Sequence, residues 1–186
     1  MSTTPKRAAV QAAVLEATEA LLGGGATFAD LGVERIANAA GISRTAFYFY
    51  FKDKRELLMR LTEDVTDLLY AAAEGWFTGT DDDLEQALRE IGDLYRAHGP
   101  LLKAIVEVST YDEEVARFWR ELLGRFVEAT RARLEQEGRA STEARSVAFA
   151  LVWMTERTFY QQMVQGDPVE DLPGALAQVW LRAVPA

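Results

Sequence analysis

The clearest chemical pattern in the chain lies between Ile36 and Lys54. There Arg44, Thr45, five consecutive aromatics from Phe47 to Phe51, Lys52 and Lys54 crowd into one stretch. Guanidinium and ammonium groups pair with phosphate oxygens, tyrosine hydroxyls donate to them, and Arg and Thr at a helix start reach base edges. Five adjacent aromatics cannot all be buried on one face of one helix, so some are exposed beside the cations. That combination is a nucleic-acid surface. Covalent chemistry has no comparable grouping. The chain has no cysteine and a single histidine, His98, so thiolate metal sites and disulfides lack their parts, and no nucleophile–base constellation stands out. Gly23-Gly24-Gly25 fits neither a dinucleotide nor a P-loop pattern and reads as a helix stop. Asp81-Asp82-Asp83 has no second acidic cluster at matching spacing and suits a helix N-terminus better than a metal ion. No metal site and no cofactor are expected.

The elements that position this chemistry are two short helices around a tight turn. Ile36, Ala37 and Ala40 give the first helix a small apolar face, Gly41 is the pivot, and Ile42 closes the miniature core. Ser43 is placed to cap the second helix, which puts Arg44 and Thr45 on its first turn. Phe47 and Phe51, four apart, should face inward, leaving Tyr48 and Tyr50 for phosphate. Lys52 and Lys54 stand where the next helix begins, and its positive N-terminus also favours phosphate.

This stretch resembles the DNA-binding domain of the TetR family of transcriptional regulators. The resemblance is carried by Ile36-Ala37, Ala40-Gly41-Ile42-Ser43, Phe47-Tyr48, Tyr50-Phe51, Lys54 and Leu57. It implies base-edge contacts from Arg44, Thr45 and Ala46, and phosphate contacts from Tyr48, Tyr50 and Lys54. Gly32 stands where the family usually has Ser or Thr, so a side-chain phosphate contact is lost there. Residues 114–130 and 154–168 resemble the EthR-like branch more narrowly.

The net charge of −9 is unevenly spread. Residues 1–55 hold seven Lys or Arg and five Asp or Glu, a balance of +2, and the remainder carries −11. A basic N-terminal footprint on an acidic body repels DNA away from the docking surface. No run of eighteen apolar residues is present, so no membrane span is expected. Glu16 and Glu19 interrupt the first apolar stretch, which argues against a signal peptide and for a cytoplasmic protein.

Periodicity predicts an all-α fold of nine helices, with a three-helix helix-turn-helix domain over 1–53 and a helical domain over 54–186. The first helix runs from Pro5 to about Leu22 with Val10, Val14, Ala17 and Leu21 on one face. Lys6 and Arg7 are either DNA contacts or part of a solvated tail. The fourth helix, to about Phe77, has Leu58, Leu61, Val65, Leu68, Ala72 and Trp76 in phase and could carry a signal between two sites. Ser141 or Thr142 is expected to cap the eighth helix, which is apolar on two faces. Ala150, Trp153, Arg157, Gln161 and Val164 on one face, with Leu176 and Val179 of the last helix, form a candidate homodimer interface.

The inner aromatics Tyr95, Trp119, Phe126, Phe159, Tyr160 and Trp180 fit either a large core or the wall of a cavity. The EthR-like resemblance implies an apolar tunnel, at positions Leu84, Ala87, Ile91, Leu102, Trp119, Leu123, Phe126, Thr130, Val152, Thr155, Phe159, Tyr160 and Trp180. With Tyr95 these are the candidate ligand contacts. Val152 and Thr155 replace the two asparagines of that branch, so Thr130, Thr155 and Tyr160 are the remaining hydrogen-bond candidates. Glu156 and Arg157 are expected as a buried ion pair or an interface contact.

The function expected from these features is a homodimeric repressor that binds a palindromic operator in double-stranded DNA. A small apolar or amphiphilic molecule would release it. The alternative is a ligand-independent DNA-binding dimer, or an activator, governed by concentration or a protein partner. An all-helical enzyme finds no support in the residues.

Overall fold

Helix punctuation in the sequence is honoured closely by the backbone. In the computed structural model, which describes residues 5–79, 84–167 and 169–183, the helices are α1 (Pro5–Gly23), α2 (Val33–Ala39), α3 (Arg44–Phe47), α4 (Lys54–Thr78), α5 (Leu84–Ala97), α6 (Gly99–Ser109), α7 (Glu113–Gln136), α8 (Ser141–Phe159) and α9 (Leu172–Ala183). A π-helical turn, Tyr160–Val164, continues α8. Among the described residues there is no strand. The Asp81–Asp83 cluster and residues 1–4 lie outside the described residues.

Two packed units share α4 and α7. The first contains residues 1–63 and 100–116, the second residues 64–99 and 117–186. The expected boundary after residue 53 does not coincide with the division by packing. By packing, the first ten residues of α4 and the segment 100–116 go with the N-terminal helices.

In the first unit the buried stripe of α1 is Val14, Thr18 and Leu22, one position round from the expected face. Thr18 is tolerated there because its hydroxyl donates to the Val14 carbonyl at 2.7 Å. Phe28, Leu31, Ile36, Ala37, Phe47, Phe51, Leu57 and Leu58 complete a small core, all at most 4 % exposed. Asp53 caps α4 by accepting from the Glu56 amide at 2.8 Å, and the Glu56 carboxylate reaches back to the Lys52 amide at 2.6 Å. That reciprocal arrangement is a variant of the capping box and pins the chain entering α4. Arg55 pairs with Asp112 at 3.1 Å and with Glu114, tying α4 to the start of α7.

The second unit is built from α5, α8, α9 and the larger parts of α4 and α7. Val65, Thr66, Leu69, Ala73 and Trp76 are the buried positions of α4 here; Leu68, expected inside, is half exposed. The last carbonyls of α4 are closed from another helix. Buried Arg133 of α7 donates to the Trp76 carbonyl at 2.7 Å and the Gly79 carbonyl at 2.5 Å, satisfying groups that a helix end leaves unpaired. Asp67 and Arg125 bridge the same two helices at 2.7 Å. The N-cap of α8 is Ala140, with no side-chain cap, so the expected Ser141 or Thr142 cap does not form. At the start of α9 Asp171 adopts φ +43° and accepts from the Gly174 amide at 3.3 Å. A side chain at Gly174 would bring its Cβ to 2.3 Å from the Asp171 carboxylate.

Candidate nucleic-acid interface and apolar cavity

Gly41 takes φ +69°, the left-handed conformation that closes the turn between α2 and α3. Ser43 Oγ accepts from the Ala46 amide at 3.1 Å, so the recognition helix starts where its cap predicts. Arg44 and Thr45 are exposed on that first turn, Ala46 half-buried behind them. Gly32 caps α2 through its extended backbone alone, with no side-chain bond.

The aromatic run divides by face. Phe47 is fully buried and Phe51 nearly so, their rings 5.3 Å apart, while Tyr48 is 48 % and Phe49 75 % exposed. Tyr50 is half-buried, with the Arg7 guanidinium 5.8 Å over its ring. Phe49 is the most exposed large apolar side chain of the unit. Sequence reasoning required exposed aromatics but assigned only the tyrosines. The signal was present, since a residue two positions from each of two inward phenylalanines on a helical path points away from both. Lys52 is exposed, and no acidic residue occurs from Ile36 to Lys52, so this face is positive within an acidic chain.

Lys54 behaves differently from the expectation. Its ammonium donates to the carbonyls of Phe28, Ala29 and Leu31 at 3.0, 3.0 and 3.3 Å and lies 5.0 Å over the Phe28 ring. An ammonium has three donors, and all three are used inside the unit. Burial lowers its pKa, partly offset by nearby Asp30. Lys54 therefore holds the loop before α2 rather than reaching outward to phosphate.

The second unit holds a small apolar cavity of about 70 Å³. Eleven predicted residues line it: Leu84, Ala87, Ile91, Tyr95, Trp119, Leu123, Phe126, Thr130, Val152, Thr155 and Trp180. Three do not. Leu102 is buried in the first unit. Phe159 is fully buried behind Tyr95, stacked on its ring at 5.5 Å. Tyr160 opens the π-helical turn, where its hydroxyl accepts from Gln165 at 2.9 Å and the Arg157 guanidinium lies 5.0 Å over its ring. Thr155 is also engaged, its oxygen accepting from Trp180 Nε1 at 2.8 Å. Of the three hydrogen-bond candidates only Thr130 Oγ1 lines the cavity without a partner.

One wall was missed by sequence reasoning. Thr66, Leu69, Ala73, Trp76 and Phe77 of α4 line the cavity, as do Leu88 and Glu156. Glu156 is 3 % exposed while Arg157 beside it is half exposed, 3.7 Å away, so the expected ion pair forms loosely and only its carboxylate is buried. Desolvation pushes the Glu156 carboxyl above its ordinary pKa, with Arg157 opposing. Burial, with Glu156 nearby, likewise pushes the Tyr95 phenol well up.

On the predicted dimer face Ala150, Arg157, Gln161 and Val179 are exposed and Trp153 and Val164 half-buried. Leu176, by contrast, is 3 % exposed and belongs to the core of its own unit. Phe149 and Leu181, 56 % and 41 % exposed, add apolar surface that the periodicity had not assigned. Among the described residues no group of three potential metal ligands occurs, and no helix is long and apolar enough to cross a membrane.

A helix-turn-helix with a positive, aromatic face and an all-helical unit holding an apolar cavity make up the architecture of a DNA-binding regulator. Comparison with known proteins places it further. Residues 14–61 match the family of bacterial regulatory proteins of the tetR family, and residues 84–186 match the C-terminal domain of the transcriptional regulator EthR. The chain belongs to the TetR family of transcriptional regulators and carries an EthR-type C-terminal domain. It is 27 % identical over 169 residues to the HTH-type transcriptional regulator EthR of Mycolicibacterium smegmatis, covering 84 % of this chain and 78 % of that protein. Its identity to EthR of Mycobacterium tuberculosis is 26 % over 171 residues, with the same coverage. The fold is shared with a tetR-family transcriptional regulator from Streptomyces coelicolor, with TM-score 0.76 and 17 % identity over 98 % of this chain and 82 % of that one. A TetR-family regulator from a Rhodococcus species has TM-score 0.72 and 18 % identity, over 96 % and 100 % of the two chains.

Proposed function

We propose that the protein is a homodimeric repressor that leaves its operator when a small apolar or amphiphilic molecule fills the cavity of the second unit. The observation that carries this reading is the cavity itself. Its walls are almost wholly apolar, as those of small-molecule sites are, its volume of about 70 Å³ would widen around a ligand, and five of its lining residues lie on α4, the helix that begins at the DNA-reading unit. A ligand that prefers one setting of α4 shifts the population of DNA-competent dimers, with a coupling of about 1–3 kcal/mol typical of such linkage.

In this reading Arg44, Thr45 and Ala46 face base edges, and Tyr48, Tyr50 and Lys52 position the phosphates. Phe49 adds an apolar contact to sugar or a thymine methyl. Two copies pair through the exposed faces of α8 and α9, with Phe149, Trp153, Val179 and Leu181 as the apolar contacts. The twofold axis then presents two recognition helices to half-sites about 34–36 Å apart, or a multiple of that.

The test is fluorescence-anisotropy titration against DNA upstream of the protein's own gene, with competitor DNA and stepped salt. A specific dimeric regulator gives tight, competitor-resistant, strongly salt-dependent binding. A panel of apolar molecules is then screened for release. Binding no tighter than to random sequence, for ligand-stripped protein on DNA selected from a random pool, refutes the reading.

A further inference from the structure

Among the described residues Glu156 is the only charged one in the lining of the cavity. Its side chain is 2 % exposed, and neither carboxylate oxygen has a hydrogen-bond partner. A buried carboxyl without donors is expensive, and apolar residues of similar volume would be more stable there. Arg157 relieves it only in part: the guanidinium stands 3.7 Å from one oxygen without a hydrogen bond, is half exposed and faces Tyr160. The other titratable group nearby is the Tyr95 phenol, on α5 across the cavity, which burial holds in its neutral form. Around this carboxyl the walls are rings. Tyr95, Trp76, Trp119, Phe126 and Trp180 all line the same space, and the faces of aromatic rings attract cations.

We infer that the cavity is built for a lipophilic amine, an alkyl or arylalkyl chain whose ammonium group is received by Glu156 within the aromatic walls. The inference rests on the reading of the cavity as a ligand site and narrows its ligand class. A neutral hydrocarbon leaves the carboxyl desolvated and without a hydrogen-bond donor, and a fatty acid brings a like charge against it. An ammonium supplies the missing donors and the opposite charge in one group. The apolar chain suits the apolar walls. A carbonyl or ether oxygen further along such a molecule would meet Trp76 Nε1 and Thr130 Oγ1, which also line the cavity without partners.

The experiment is isothermal titration of the full chain with octylamine, octanol, methyl octanoate and octanoate, repeated on Glu156→Gln and Glu156→Leu. Octylamine is expected to bind about tenfold or more tighter than octanol, as a charge-assisted hydrogen bond in a desolvated site requires. Either substitution should abolish that preference, and the helical circular dichroism and thermal melt of each variant, matched to the parent protein, show that it folds. Octanol or the ester binding as tightly as the amine, or an amine preference that survives both substitutions, overturns the inference but leaves the cavity as a ligand site. Binding of none of the four overturns both.

Discussion

Lys54 offers the sharpest division between reading this face by resemblance and reading it by geometry. In Lys54→Met the apolar stem is retained against Phe28, while three donors to the carbonyls of Phe28, Ala29 and Leu31 are removed. A hydrogen bond to a charged group is worth about 1.5–3 kcal/mol singly. Simple addition overstates the loss here. The three bonds share one ammonium, one is stretched to 3.3 Å, and the Ala29 carbonyl lies at the exposed end, where water replaces the donor. A net loss of about 2 kcal/mol follows, or roughly 4–8 °C in Tm for a chain of this size. Tryptophan fluorescence would miss it, since Trp76, Trp119, Trp153 and Trp180 all lie in the second unit. The assay is urea unfolding followed by far-ultraviolet circular dichroism, paired with anisotropy binding at several salt concentrations. If Lys54 is structural, stability falls and the slope of log affinity against log salt is unchanged at temperatures where the variant is folded. If it is a phosphate ligand, stability holds within about 0.5 kcal/mol and the slope drops by about one per site. The second result refutes the geometric argument.

Four further outcomes follow from particular contacts. Arg44→Ala should weaken operator binding by about 1–3 kcal/mol and relax selectivity at one base position per half-site, read by anisotropy on single-base operator variants. Glu156 makes stability depend on pH. A carboxyl whose folded pKa is raised costs nothing below the ordinary value of 4.5 and destabilises increasingly as pH rises through the folded value, so the Tm advantage of Glu156→Gln should widen from about pH 4.5 upward. Gly75 lies within α4 with open space where a Cβ would sit, and Gly75→Ala should stabilise by about 0.5–1 kcal/mol in urea melts. Gly174→Ala should destabilise by about 1–2 kcal/mol, because the added Cβ collides with the Asp171 carboxylate that caps α9.

Helix boundaries were legible because their signals are local. Gly41, Ser43, Asp53 and the glycines after α1 each act on neighbours in sequence, and each does in the structure what its chemistry predicts. Faces were less legible where one residue of phase decides them. Leu68 and Leu69 of α4 both fit a 3.6 period, and only packing against the second unit selects Leu69 for burial. Roles that depend on distant partners were not legible. The ties of Lys54 reach 23 to 26 residues back, and Arg133 closes a helix end 54 to 57 residues away. No pattern in sequence spacing marks either. Leu102 was misplaced for the same reason: an apolar residue on a short helix does not say which of two cores it enters, and α6 turns it into the first.

The least legible element has the largest consequence. Periodicity marked α4 as a helix that could carry a signal, and did not mark it as a wall. Yet Thr66, Leu69, Ala73, Trp76 and Phe77 lie at intervals of three, four, three and one, a single stripe facing the cavity, and the helix end below them is clamped by Arg133. At its other end Asp53 and Glu56 cap α4, and Lys54 fastens it to the loop that precedes α2. If the proposed ligand binds, a helix anchored at both ends and lining the cavity along its C-terminal half would transmit displacement better than one free to fray, because neither terminus can absorb the shift. In that reading the tight caps of α4 serve regulation as well as stability. Loosening Lys54 should then weaken ligand-driven release from DNA at a temperature where operator binding itself is intact.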